Sequence, residues 1–172
     1  MKVKSKVIRT KPDSASKRTL TNYGFVVTIL WIGFIVAISF VETPLRFAAE
    51  DVTLSLALQI GRLVFHALNY FEIGFAVLIL CCILWQPTRR KSVVTSFFVA
   101  LIIVVIQTAI LFAVLDSRTN QLIDGVELPS SPFHTICIAL EFAKLVTLAV
   151  LAWCQIRDWE DRAMASAIDS GS

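Results

Sequence analysis

YGFVVTILWIGFIVAISFV, from Tyr23 to Val41, contains no charged residue, and twelve of its positions are Leu, Ile, Phe or Val. On an insertion scale that content is worth roughly −4 to −7 kcal/mol, enough for a helix to span a bilayer alone. The basic residues Lys2, Lys4, Lys6, Arg9, Lys11, Lys17 and Arg18 precede it, opposed only by Asp13. A basic lead before an apolar run also describes a signal peptide. This run is longer than a usual signal core and its basic lead is long, so the better reading is an uncleaved first span. Glu42-Thr43-Pro44-Leu45-Arg46-Phe47 follows. Pro44 is expected to end or kink the helix there.

Composition agrees with this reading across the chain. Hydrophobic residues make up 56% of the 172 positions, the formal net charge is +3, and mean hydropathy is +0.74. Such values exclude an ordinary soluble domain and indicate a membrane class. Cys81, Cys82, Cys137 and Cys154 show no C-x-x-C pair and no zinc spacing. All four lie in apolar runs, where cysteine acts as a small hydrophobe.

Three more apolar regions follow. Leu54 to Trp85 as one helix would be about 48 Å long, against a hydrocarbon core of about 30 Å. Leu54 to Arg62 is therefore assigned to the interface and Leu63 to Trp85 to the second span. Gln86 to Lys91 is a short basic turn, and Val93 to Leu115 is the third span, with Gln107 its one strongly polar member. Asp116 to Pro132 reads as a polar loop, with turn signals at Asp124-Gly125 and Ser130-Ser131-Pro132. Phe133 to Cys154 is the fourth span. Arg157 to Ser172 is a short charged tail with some helical character.

Orientation follows from the basic residues. They gather in the N-terminal arm, in the turn at Arg89, Arg90 and Lys91, and in the tail at Arg157 and Arg162. The other two connections hold only Arg46 and Arg118, against Glu42, Glu50, Asp51, Asp116, Asp124 and Glu127. The positive-inside rule then places both termini in the cytoplasm, with Trp85 and Trp153 at the cytoplasmic boundary. Residues 1–22 read as a disordered cytoplasmic arm. Beside a bilayer such an arm can bind anionic lipid headgroups. It lacks interleaved aromatics and a folded reading module, so nucleic acid is not an expected partner.

Glu141 and Lys144 oppose insertion of the fourth span by roughly +5 to +7 kcal/mol, against roughly −3 to −6 kcal/mol from its apolar residues. That span needs help from its neighbours. Glu141 and Lys144 are three apart and can meet on one face, and His134 shares it. In the second span Arg62, His66 and Asn69 line one stripe, and Glu72 extends it. Glu72 lies nine residues inside Leu63 and Lys144 eleven inside Phe133, which puts both near mid-bilayer, about 3 Å apart in depth. Glu42 ends the first span at the depth of Arg62. Glu42, Arg62, Glu72, Glu141 and Lys144 are thus expected to form one outward-opening cluster, joined by Arg46.

Several functions fit this cluster. Polar groups in lipid hydrogen-bond across helices and select one packing, and Gln107 suits that role. Ionisable groups within spans also mark functional sites. His66 and His134, at similar depth, can ligate a haem iron. Glu72, Glu141 and Lys144 can handle protons or ions. No G-x-S-x-G, H-E-x-x-H, phosphate loop or dinucleotide fingerprint occurs, and no internal repeat suggests an inverted-repeat transporter.

E-T-P-L-R-F at Glu42–Phe47, G-R-L-V-F-H-x-L-N at Gly61–Asn69 with Glu72 after it, L-D-S-R at Leu115–Arg118, P-F-H at Pro132–His134 and L-E-x-x-K at Leu140–Lys144 carry a resemblance. Over about Trp31 to Trp153 the chain resembles a group of small uncharacterised bacterial four-helix inner-membrane proteins. More remotely it is similar to the transmembrane-protein-205-like domain of unknown function, which has a proline in its first hairpin and a histidine opening its last span. Neither resemblance implies an activity. The bacterial four-helix protoporphyrinogen oxidases are similar in size and topology, and imply an intramembrane His and Lys beside haem. Here His66 or His134 with Lys144 would stand in, although the family's surrounding pattern is missing and the likeness is architectural.

The expectation is an all-α, polytopic membrane four-helix bundle with four transmembrane helices and both termini inside, in a bacterial cytoplasmic membrane. Its expected role is non-enzymatic. The cluster Glu42, Arg46, Arg62, His66, Asn69, Glu72, His134, Glu141 and Lys144 packs the bundle and offers a place for a small ligand or partner. No cofactor is expected on this reading. The alternatives are a haem-binding membrane oxidoreductase and a proton- or ion-coupled small transporter.

Overall fold

Long runs of Leu, Ile, Phe and Val with no interior proline can satisfy their own N–H and C=O groups locally in one way, as α-helices. The computed structural model describes residues 14–48, 53–85, 90–110, 117, 121 and 133–170, and among these there is no strand. In chain order the helices are α1 (Ser14–Ile35), a π-helical stretch (Val36–Glu42), α2 (Thr43–Ala48), α3 (Leu54–Leu84), α4 (Lys91–Ile110) and α5 (Phe133–Ser170). Four stretches are long and apolar enough to cross a membrane: Tyr23–Arg46, Gln59–Leu84, Lys91–Ala109 and Thr135–Ala165.

The sequence-based boundaries change in four places. First, α1 begins at Ser14, so residues 14–22 of the basic arm are helical. Second, Pro44 does not end the first helix. The chain widens into a π turn just before it, and the Thr43 N–H donates to Ile38 O, five residues back. The Thr43 hydroxyl donates to the same carbonyl at 3.1 Å. A wider turn makes room for the proline ring and redistributes the bonds that its missing N–H disturbs. Third, α3 is continuous through Arg62, with no break where an interfacial segment was expected. Thr53 caps it, its hydroxyl accepting from the Leu56 N–H at 3.3 Å. Fourth, α5 runs beyond Cys154 through the expected tail to Ser170, for 38 residues. Most of the Asp116–Pro132 loop and the last residues of the expected third span lie outside the described residues.

In the bundle α1 packs against α3 and α5, and α4 packs against the same two helices. Thus α3 and α5 stand on one diagonal. Contacts fix the directions. Trp31 meets Phe75, Phe34 meets Phe71, and the later Arg46 meets the earlier Gly61. Rising numbers on one helix face falling numbers on the other, so α1 and α3 are antiparallel. Gln107 with Glu141 and Arg90 with Asp161 show the same for α4 and α5.

The partition of side chains reverses that of a water-soluble bundle. Ile35, Ile79, Phe97, Leu148 and Leu151 form an apolar core, but Asn69, Glu72, Lys144, Gln155 and Asp158 are buried too. Leu63, Leu78, Ile102, Val105 and Val146 face outward. An outer surface this apolar exceeds what soluble monomers expose. Hydroxyls in the apolar stretches turn back on their own helices. Thr28 donates to Gly24 O at 2.9 Å and Thr147 to Ala143 O at 2.8 Å.

One glycine is set by a close approach. The Arg46 guanidinium, buried and 3.3 Å from Glu42 Oε1, lies over Gly61, where an added Cβ would meet Nη2 at 2.9 Å. Gly→Ala inside a helix ordinarily gains about 1 kcal/mol. In G61A that gain should be cancelled by displacement of the guanidinium, and it should return in an R46A background. Thermal melts of the four variants check this; an equal gain in both backgrounds would contradict it.

Candidate functional site

A lysine ammonium carries three N–H donors and no acceptor. Buried among apolar side chains, it must find three oxygens or forfeit its charge. Lys144, on α5, is fully buried, and three oxygens surround its Nζ. Glu72 Oε1 on α3 is 2.5 Å away. Gln107 Oε1 on α4 accepts at 2.6 Å. Glu141 Oε2, one turn back on α5, is 3.2 Å away.

Further hydrogen bonds link these groups to one another and to α1. The Gln107 amide, having accepted from Lys144, donates through Nε2 to Glu141 Oε1 at 3.1 Å. The Trp31 indole on α1 donates through Nε1 to Glu72 Oε1 at 3.2 Å. The four helices that are long and apolar enough to cross a membrane each place at least one side chain in this network. Beside it, the Thr108 hydroxyl on α4 lies 2.8 Å from both Asn69 Oδ1 on α3 and its own helix's Val104 O.

Helix geometry explains the meeting. Glu141 and Lys144 are three apart and share a face. Trp31 lies eleven residues before Glu42, and Glu72 lies ten after Arg62, so both sit about 15 Å in from the same end. The long Lys144 stem then reaches across the diagonal to α3, and the charges remain in the interior.

The structure brings Glu72, Glu141 and Lys144 together, with Gln107 as the interhelical partner that its position suggested. Asn69 joins through Thr108. Glu42 and Arg46 pair near the end of the first helix, with the guanidinium packed over Gly61. Arg62 and His66 are half-buried on α3. His134 lies in the first turn of α5, and its side chain is outside the described residues, as are any contacts between the two histidines. Among the described residues no group of three or more His, Cys, Asp and Glu is arranged to hold a metal ion.

Sequence reasoning missed Trp31 and Thr108. A usable signal existed for Trp31: an indole N–H in an apolar run needs an acceptor, and depth counting places Glu72 level with it. Thr108 gave none, because a helical threonine can satisfy itself on its own backbone.

A second polar region lies at the opposite end. Gln155 and Asp158 are buried there, and Arg162 reaches Asp158 at 3.0 Å. Arg90 and Asp161 pair at 3.0 Å on the exposed surface, where such a pair contributes little. The Arg157 guanidinium stands 5.0 Å from the Trp153 ring centroid.

Comparison with protein-family models, curated proteins and solved structures finds no match to this chain. The site is therefore read from its own chemistry.

Removing one partner of a buried ion pair costs about 3–5 kcal/mol. E72A and K144A should each lower stability by that order in lipid or detergent. The double variant should cost clearly less than the sum of the two. Strict additivity in the melting curves would contradict the pairing.

Proposed function

We propose that this protein is a small integral membrane four-helix bundle of non-enzymatic role, with both termini cytoplasmic, in a bacterial inner membrane. Its interior polar network fixes one arrangement of the four helices, and its apolar exterior is the surface offered to lipid and to membrane partners. The observation that carries this reading is the surrounding of Lys144 by oxygens from three helices. Its Nζ lies within 3.2 Å of three oxygens drawn from α3, α4 and α5, and Trp31 ties α1 to the Glu72 carboxylate.

A lysine engaged in this way is a poor nucleophile. A Schiff base or general base needs an accessible amine, and the Lys144 Nζ is buried and surrounded by oxygens. A ligand taken into this cluster would have to displace bonds already made. Packing specificity is the use of buried polar groups that best suits such closure. The outward-facing Leu, Ile and Val supply the insertion energy, and the basic residues at 1–22 and 89–91 supply the orientation. The resemblance to small bacterial four-helix inner-membrane proteins is part of this proposal and adds no activity.

Topology reporters test the proposal. A fusion after Ser172 should report a cytoplasmic location, and one inserted near Asp124 an external location, with the chain resisting alkaline extraction. Release on extraction, or an external C-terminus, would refute the reading. A Soret band in the purified protein that disappears in H66A would instead favour the haem-binding alternative.

A further inference from the structure

The network has more negative than positive charge. Glu72 and Glu141 both face Lys144, and the other side chains bonded within it, Gln107 and Trp31, are neutral. Two carboxylates against one ammonium leave one negative charge uncompensated. In a membrane interior, an uncompensated carboxylate takes up a proton in preference to remaining charged. A metal cation is a poor substitute here, because the Lys144 ammonium already occupies the space between the two carboxylates.

Among the described residues, Lys144 is the cation that pairs with both Glu72 and Glu141. On α5, Cys137 precedes Glu141 by one turn and can add only negative charge. On α3, His66 precedes Glu72 by six residues, about 9 Å along the axis. The described part of α4 offers Gln107 and Thr108 at this level, and α1 offers Trp31.

Access is unequal at the two ends. Beyond the network towards the end of α3, the axis is filled by Ala76, Ile79, Phe97, Ala100, Leu148 and Leu151, all buried. Towards the start of α3 the apolar cluster continues only with Ile35 and Leu68 among its buried members, and they stand beside the polar Asn69, half-buried Thr108 and half-buried His66. Glu141, at 13% side-chain exposure, is the least covered of the three charged groups. It lies towards that polar end.

We infer that the Glu72–Lys144–Glu141 network binds one proton, shared by its carboxylates, and exchanges it only through the end of the bundle where α3 and α5 begin. The site is a one-sided proton store; the apolar seal leaves no through-path. This rests on the membrane-bundle reading.

Infrared spectroscopy of the full chain in lipid vesicles tests it, by the carbonyl band of protonated carboxylic acid. At neutral pH the wild type should show this band. Both E72Q and E141Q should lose it, because either change leaves one carboxylate for one ammonium. K144M should strengthen it, because two carboxylates then lack a cation. Absence of the band in folded, inserted wild type would overturn the proton site while leaving the bundle intact, as would its persistence in both Gln variants. For sidedness, vesicle orientation is read from protease access to a C-terminal tag. The band should follow pH on the face opposite the tag. A response to pH on the tag's face would overturn the one-sided exchange. Failure to insert would count against the bundle reading itself.

Discussion

A charged ammonium in an apolar interior must have an acceptor for each of its three N–H groups, and this requirement organises the bundle around Lys144. Its oxygens come from α3, α4 and its own helix. A displacement of any of these helices by a residue would strand a charge. Apolar packing alone is less discriminating, since Leu and Ile faces can slide past one another at small cost. The network therefore selects a register, while the Ile35, Phe97 and Leu148 core supplies contact area.

The same constraint accounts for the unusual fourth span. Its Glu141 and Lys144 make it marginal alone, and the completed network removes that penalty only when the other helices are present. Local sequence preference and global fold thus conflict in this segment and agree only after assembly. Such conflicts are expected where polar groups fix specificity or carry function. The Arg46–Gly61 contact shows the related use of a missing side chain. The guanidinium sits on bare helix backbone, and the π turn before Pro44 carries the chain to that position.

Much of this was legible in the sequence. The four apolar stretches and the pairing of Glu72 with Lys144 follow from composition and from 1.5 Å per residue. Partnership of Gln107 followed from its isolation in an apolar run. Several features were not legible. Pro44 was read as a residue that ends or kinks the helix, and the π turn before it was not visible, because sequence does not show that a helix can widen to pass a proline. The end of α5 was read as a charged tail with some helical character; that the helix continues unbroken to Ser170 was not visible, because charged residues after an apolar run carry no signal for where a helix stops. Of the expected cluster, Glu72, Glu141 and Lys144 meet in the central network and Glu42 pairs with Arg46; equal depth alone does not establish which helix faces meet.

Lys144 joins the helices through direct contacts with two carboxylates. Solid-state NMR of the protein in bilayers, with isotope-labelled lysine side-chain nitrogen and glutamate carboxyl carbons, measures those contacts. Strong dipolar transfer from the Lys144 nitrogen to the carboxyls of both Glu72 and Glu141 is predicted, lost for the respective partner in E72Q and E141Q. Transfer to neither carboxyl in a folded, inserted protein would contradict the account.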